Sequence, residues 1–195
     1  MNILAFLFMF LCPFLVMGQE SVKDCSPDVG GIYYNQSKMG YSRIIGQKVG
    51  NVAGAYFSFG LSGAKRNLQI EGKSANLKIS ESLPKFTIVF SDNQKSEVVF
   101  LSSEMLDNLV LVKLKSGKNE RKLQNGSYGL TGIESNVSQK YVIPLSIDKI
   151  DDSTYSITPK EKLSKGEYGF YFNLPKSNDD ENKSFNGVFD FTIVN

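Results

Sequence analysis

The sequence predicts an all-β protein, a sandwich or barrel of ten to twelve short strands, with one enlarged β-sandwich favoured. Three observations predict it. Apolar residues recur at every second position in segment after segment, which is the period of a half-buried strand. Gly, Asn, Asp and Ser collect between those segments, where turns need them. No stretch beyond the N-terminus carries a sustained helical stripe.

The N-terminus stands apart. Residues 3–17, ILAFLFMFLCPFLVM, form an uncharged apolar run broken only by Pro13. As a helix it would span about 22 Å, short of the roughly 30 Å hydrocarbon core of a bilayer. It reads as a signal-peptide core, with Val16 and Gly18 as the −3 and −1 residues for cleavage before Gln19. Removal of 18 of the 195 residues leaves 177 and no stable membrane span. Cys12 follows Leu11 and Cys25 follows Asp24, so neither has the small residue that lipoprotein processing needs before the cysteine. Cleavage would leave Cys25 as a single thiol, with no intramolecular partner. Residues 19–27 read as a linker and 28–195 as the β-sandwich domain.

The strands follow in order. GIYY comes directly after the linker. The glycine-rich stretch Gly46 to Gly63 reads as a bulged loop leading into a strand AYFSFGL. NLQIEG and NLKIS alternate, and FTIVF, Phe86 to Phe90, is apolar on both faces and suits a central position. SSEML can form one helical turn behind a Ser cap. NLVLVKLK and ERKLQ flank SGKN as a hairpin, and PLSIDKI and TYSIT flank Asp151 and Asp152 as another. In EYGFYF, Tyr168, Phe170 and Phe172 alternate with Glu167, Gly169 and Tyr171; in VFDFTIV, Phe189, Phe191 and Ile193 alternate with Asp190 and Thr192. Both read as strands with one wet face. The acidic stretch Ser177 to Asn182 reads as a solvated hairpin tip.

The segment LSKGEYGF, Leu163 to Phe170, has the spacing L-x-x-G-x-Y before an alternating strand. It resembles the tyrosine corner of immunoglobulin-like, Greek-key sandwiches, in which a tyrosine hydroxyl bonds backbone a few residues upstream. The resemblance implies that Tyr168 is the corner residue, that Gly166 permits a tight approach and that Leu163 plugs the corner. Phe170 stands where antibody domains have cysteine, so packing alone must join the sheets. The mature chain is long for one such domain, so the sandwich is either enlarged or carries an N-terminal β extension.

GIYY, GKSANLKISESLPKF, NLVLVKLKSGKNERKL, LSKGEYGFYF and the closing VFDFTI together resemble a group of exported bacterial proteins of uncharacterised function, met commonly in Bacteroidetes. That group carries an L-x-x-GEY-x-F segment before a terminal F-D-F strand. The resemblance implies an exported protein, periplasmic, cell-surface or secreted, and supplies no catalytic residue.

Composition narrows the chemistry. The chain has no histidine, which removes imidazole acid–base catalysis, Ser-His and Cys-His nucleophiles and every His-containing metal site. Three S-x-x-K tetrads, at Ser62, Ser82 and Ser146, fall in loops or strands, where positions i and i+3 face opposite ways. The segment around Lys73 lacks the first glycine of a phosphate loop, since Asn67 stands in its place. Basic and acidic residues nearly cancel, 22 against 20, so net charge selects no nucleic acid, anionic membrane surface or acidic substrate. No catalytic residue, cofactor or metal is assigned. The expectation is a non-enzymatic structural or protein-interaction module of the bacterial envelope. The alternative is a glycan- or ligand-binding module that uses Tyr33, Tyr41, Tyr128 and Tyr171 as stacking platforms.

Overall fold

The computed structural model describes residues 30–50, 52–57, 63–90, 103–129, 132–134, 136–173 and 186–195. The signal and linker readings, both cysteines and Ser177 to Asn182 lie outside them. In chain order the strands are β1 (Gly31–Tyr34), β2 (Ser37–Lys38), β3 (Ser42–Gly50), β4 (Ala64–Glu71), β5 (Leu77–Ile79), β6 (Phe86–Val89) and β7 (Leu109–Ser116). They continue as β8 (Glu120–Gly129), β9 (Gly132–Glu134), β10 (Val142–Ile143), β11 (Leu145–Lys149), β12 (Thr154–Pro159), β13 (Gly166–Phe172) and β14 (Gly187–Ile193). A short helix α1 (Val52–Phe57) follows β3, and 3-10 turns occupy Ser103–Asn108 and Gln139–Tyr141.

The protein is all-β. One sheet runs β11-β12-β6-β1-β2, with β6 in the middle, where an apolar run with no wet face belongs. The second sheet runs β10-β7-β13-β14-β3-β4-β8-β9. It does not stay open. The end of β7 pairs with β8 at Lys115↔Lys122 and Ser116↔Arg121, which closes β7, β13, β14, β3, β4 and β8 into a six-stranded barrel. All pairings around the barrel are antiparallel, whereas β5 adds in parallel to the end of β14.

Two cores result, one on each face of β7, β13 and β14. Between the sheets, Phe86, Phe170 and Phe191 meet with ring centroids 4.9 to 6.1 Å apart, and Tyr168 stacks on Phe191 at 5.8 Å. Ile32, Ile88, Leu111 and Ile157 complete this layer at zero exposure. Inside the barrel, Leu68, Ile70, Val112, Leu114, Leu123 and Val188 form the second core. Pleat parity makes this possible: in β13, Tyr168, Phe170 and Phe172 face the first core while Glu167, Gly169 and Tyr171 face the second.

This overturns the wet faces expected of β13 and β14. Glu167 and Asp190 are buried, because β3, β4 and β8 roll over the side that alternation assigned to solvent. The barrel takes in β3 and β4 from the N-terminal part of the described chain together with β7, β8, β13 and β14. The start of AYFSFGL also differs: Val52–Phe57 is helical, while residues 58–61 lie outside the described residues, and β3 already spans the glycines at 46 and 50, with a register shift between Ile44 and Gly46.

Gly169 shows how tight the shared layer is. A Cβ placed there would lie 2.3 Å from Val188 Cγ1 and 3.4 Å from the Phe189 carbonyl oxygen. Gly169→Ala should cost about 1–3 kcal/mol by overpacking. In a Val188→Ala background the same change should add far less, since the clashing methyl is gone. Urea midpoints of the four proteins of this cycle check it.

Candidate functional site

Three groups of residues stand out in the structure. The first lies inside the barrel. The β4–β8 register pairs Arg121 with Ile70 and Leu123 with Leu68, so the Arg121 side chain points inward and has no exposed surface. Its guanidinium donates from Nη1 to Asp190 Oδ2, and that nitrogen lies 3.6 Å from Glu167 Oε2. Nη2 donates to Ser42 Oγ at 2.9 Å and to the Glu71 carbonyl at 2.6 Å, and Nε donates to the Gly72 carbonyl at 3.1 Å. Gly72 has φ +84°, a left-handed turn open to glycine, which aims both carbonyls at the guanidinium.

The acids are bonded in turn. Ser42 Oγ donates to Asp190 Oδ2 at 2.9 Å. Glu167 accepts the Ala75 backbone N–H at 2.8 Å on one oxygen and the Thr192 hydroxyl at 2.9 Å on the other. Lys78 Nζ donates to Thr192 Oγ1 at 2.9 Å and brings a second positive charge to the rim. One cation thus joins β8, β14, β3 and the 71–75 turn, with β13 beside it. This is a bonded structural cluster enclosed by strands. Among the described residues no three His, Cys, Asp or Glu side chains converge as a metal site.

The second group is a groove of about 560 Å³ where the chain crosses between sheets, from β10 to β11. Ile143, Leu145 and Ile147 line it with Leu106, Leu109 and Tyr155; Asp107 and Lys149 are its charged residues. Strand β11 edges its sheet, and among the described residues nothing pairs with its outer side. The hairpin bonds fix which groups are free. Lys160 N–H donates to the Pro144 carbonyl at 2.9 Å and Ile150 N–H to the Thr154 carbonyl at 2.9 Å. Antiparallel pairing alternates, so Ser146 and Asp148 bond β12, while the backbone of Leu145, Ile147 and Lys149 faces outward. Ser146 and Lys149, one of the Ser-Lys pairs of the sequence, lie on this strand.

The third group contains the residues singled out from sequence. Leu163 is buried, and its N–H donates to the Ser82 carbonyl at 2.6 Å. Tyr168 is buried, and its hydroxyl donates to the Ser164 carbonyl at 2.8 Å; Lys113 Nζ lies 5.6 Å from its ring centroid. Gly166 differs from expectation in its reason. A Cβ there would meet Lys113 Cε at 3.5 Å and the Tyr168 ring at 3.7 Å, both ordinary contacts, so its φ of +155° and not close approach favours glycine.

The four tyrosines are distributed over β1, the entry to β3, β8 and β13. Tyr33 is half-buried; Tyr41 is 40% exposed and meets Phe189 edge-on at 6.2 Å. The Tyr128 side chain lies outside what the structure describes. Tyr171 is not on a wet face: it packs against the barrel core, and burial raises its phenol pKa against the opposing pull of Arg66. It offers no stacking platform.

Sequence reasoning missed Arg121, Glu167, Asp190 and Ser42. A signal was present: the face opposite the aromatic residues in β13 and β14 also holds Gly169, Tyr171 and Val188, a composition too apolar for solvent. Neither protein-family models nor curated proteins nor solved structures give a match to this chain.

Arg121→Met should destabilise the protein by about 3–5 kcal/mol, because it leaves two carboxylates buried without their cation. Replacing Arg121 and Glu167 with Met and Asp190 with Leu together should recover much of that loss. Urea unfolding of both variants checks the order; equal losses would mean that packing, not charge pairing, dominates at Arg121.

Proposed function

We propose that this chain is an exported, non-enzymatic protein-interaction module of the bacterial envelope, and that it binds an extended segment of its partner along β11. One observation carries the reading: the outward backbone of Leu145, Ile147 and Lys149 runs beside an apolar groove lined by the same three residues. An added strand gains main-chain hydrogen bonds from such an edge and specificity from alternate side chains placed in the groove. Ile147 and Ile150 are 39% and 60% exposed there, although apolar edges are normally blunted.

Export rests on the apolar N-terminal run with its cleavage residues, and envelope location on the resemblance to exported bacterial proteins. The sandwich layer reads as immunoglobulin-like: the bond from Tyr168 to the carbonyl four residues upstream, with Leu163 buried beside it, supports a tyrosine corner. The buried charges serve this reading as scaffold. The glycan-binding reading loses Tyr171 as a platform.

Ile147→Pro tests the edge selectively. Its N–H faces away from β12, so proline removes a docking donor and leaves the β11–β12 ladder intact, as edge strands tolerate. Peptides selected on the protein from a displayed random library should alternate apolar residues and should bind Ile147→Pro about tenfold more weakly. The thermal midpoint should hold for Ile147→Pro and fall for Asp148→Pro, which breaks the ladder. Peptides indifferent to Ile147→Pro would contradict the assignment.

A further inference from the structure

Net charge is nearly balanced, but its distribution is not. Between Asp28 and Glu71 the sequence contains no acidic residue and five basic ones, Lys38, Arg43, Lys48, Lys65 and Arg66. The same segment holds five of the nine large apolar side chains that stand exposed among the described residues: Tyr41 at 40%, Ile45 at 57%, Val49 at 50%, Tyr56 at 82% and Phe57 at 83%. The remaining exposed apolar residues include the two beside the β11 groove. This second concentration is on another part of the molecule, at the β3–α1 corner.

The two kinds of side chain meet where β3 ends, on its two faces: Val49 and Arg66 share the face of Leu68, and Lys48 and Lys65 take the outer one. Val49 pairs with Arg66 and Gly50 with Lys65 where β3 ends, and α1 packs beside β4 two residues later. Tyr56 and Phe57 close the helix edge-to-face, with centroids 6.3 Å apart. Lys48 is 64% exposed, with Glu120 3.8 Å away, and Glu120 also pairs with Lys122, so positive charge remains in excess. Arg66 is committed to Asn125. Two aromatic rings in water, on a helix packed beside the strand that carries Lys65 and in a segment without acids, match the layered chemistry of a bilayer interface, where aromatics sit at headgroup depth and ammonium groups meet anionic phosphates.

We infer that the β3–α1 corner docks the protein onto an anionic phospholipid bilayer, with Tyr56 and Phe57 entering the interface and Lys48 and Lys65 holding the headgroups. The contact is peripheral: no helix among the described residues is long and apolar enough to cross a membrane.

The chain contains no tryptophan, so Tyr56→Trp creates a single reporter at the corner. Its emission reads position 56 itself, whatever the N-terminal segment does. With vesicles of phosphatidylglycerol and phosphatidylcholine, the emission should shift to the blue and be quenched by brominated acyl chains; with phosphatidylcholine alone it should do neither. Adding Lys48→Ser and Lys65→Ser should weaken binding about thirtyfold at low salt. Adding Val49→Ser and Phe57→Ser should abolish the shift. All four side chains lie at the surface, so the unfolding midpoint should stay within a few degrees in each variant, roughly as surface changes do. An unchanged emission on anionic vesicles overturns the proposal. So does an equal shift on neutral vesicles, or a shift that follows protein concentration without lipid and so marks a second copy as the occupant.

Discussion

A guanidinium with no exposed surface sets the terms for the rest of this fold. Taking an arginine out of water costs several kcal/mol even after relaxation, and only close anions with a full set of hydrogen bonds offset it. Arg121 obtains these from Asp190 on β14, Ser42 on β3 and the carbonyls of Glu71 and Gly72, with Glu167 on β13 close by. Those groups are scattered from position 42 to position 190. They can meet only when β8 has turned back along β4 and the sheet has closed on itself. The cluster therefore ties barrel closure to the same strands that carry the aromatic core.

Of those strands, β13 and β14 have no wet side and β7 is wet only toward its end, at Lys113, Lys115 and Ser116, and their sequences show how little space is left. The sandwich face holds Phe170, Phe189 and Phe191, and the barrel face holds Gly169, Val188 and bonded acids. Bulk on one side is matched by small or paired groups on the other. Tyr168 fits the same logic: its ring stacks on Phe191 while its hydroxyl is satisfied at the Ser164 carbonyl.

Much of the local pattern was legible in the sequence. Period-two runs located β13 and β14, a run apolar on both faces located β6, and turn residues located the hairpins of β7 with β8 and β11 with β12. Lys115↔Lys122 and the Asp151 carboxylate that accepts the Ser153 N–H at 2.8 Å show both turns in place. A sandwich could not be told from a barrel, nor the closing strands named, because closure depends on pairings between distant segments, such as β4 with β8, that no window of residues displays. For the same reason Glu167 and Asp190 read as solvent-facing: alternation tells which residues share a face, not what covers it. The β11 edge was equally hidden, since local pattern cannot tell an edge strand from a paired one.

The proposed recognition surfaces lie apart from the buried charges, at the β11 edge and the β3–α1 corner, so the keyed interior can stay fixed while binding happens at the rim. The barrel and the layer between the two sheets share β7, β13 and β14 so fully that neither opens alone. Native-state hydrogen exchange in low urea measures this directly. The amides of Leu68 and Leu123 in the barrel and of Ile88 and Ile157 in the sandwich should converge on one opening free energy with one urea dependence. Barrel amides that exchange through a separate, lower-energy opening while Ile88 and Ile157 stay protected would contradict it.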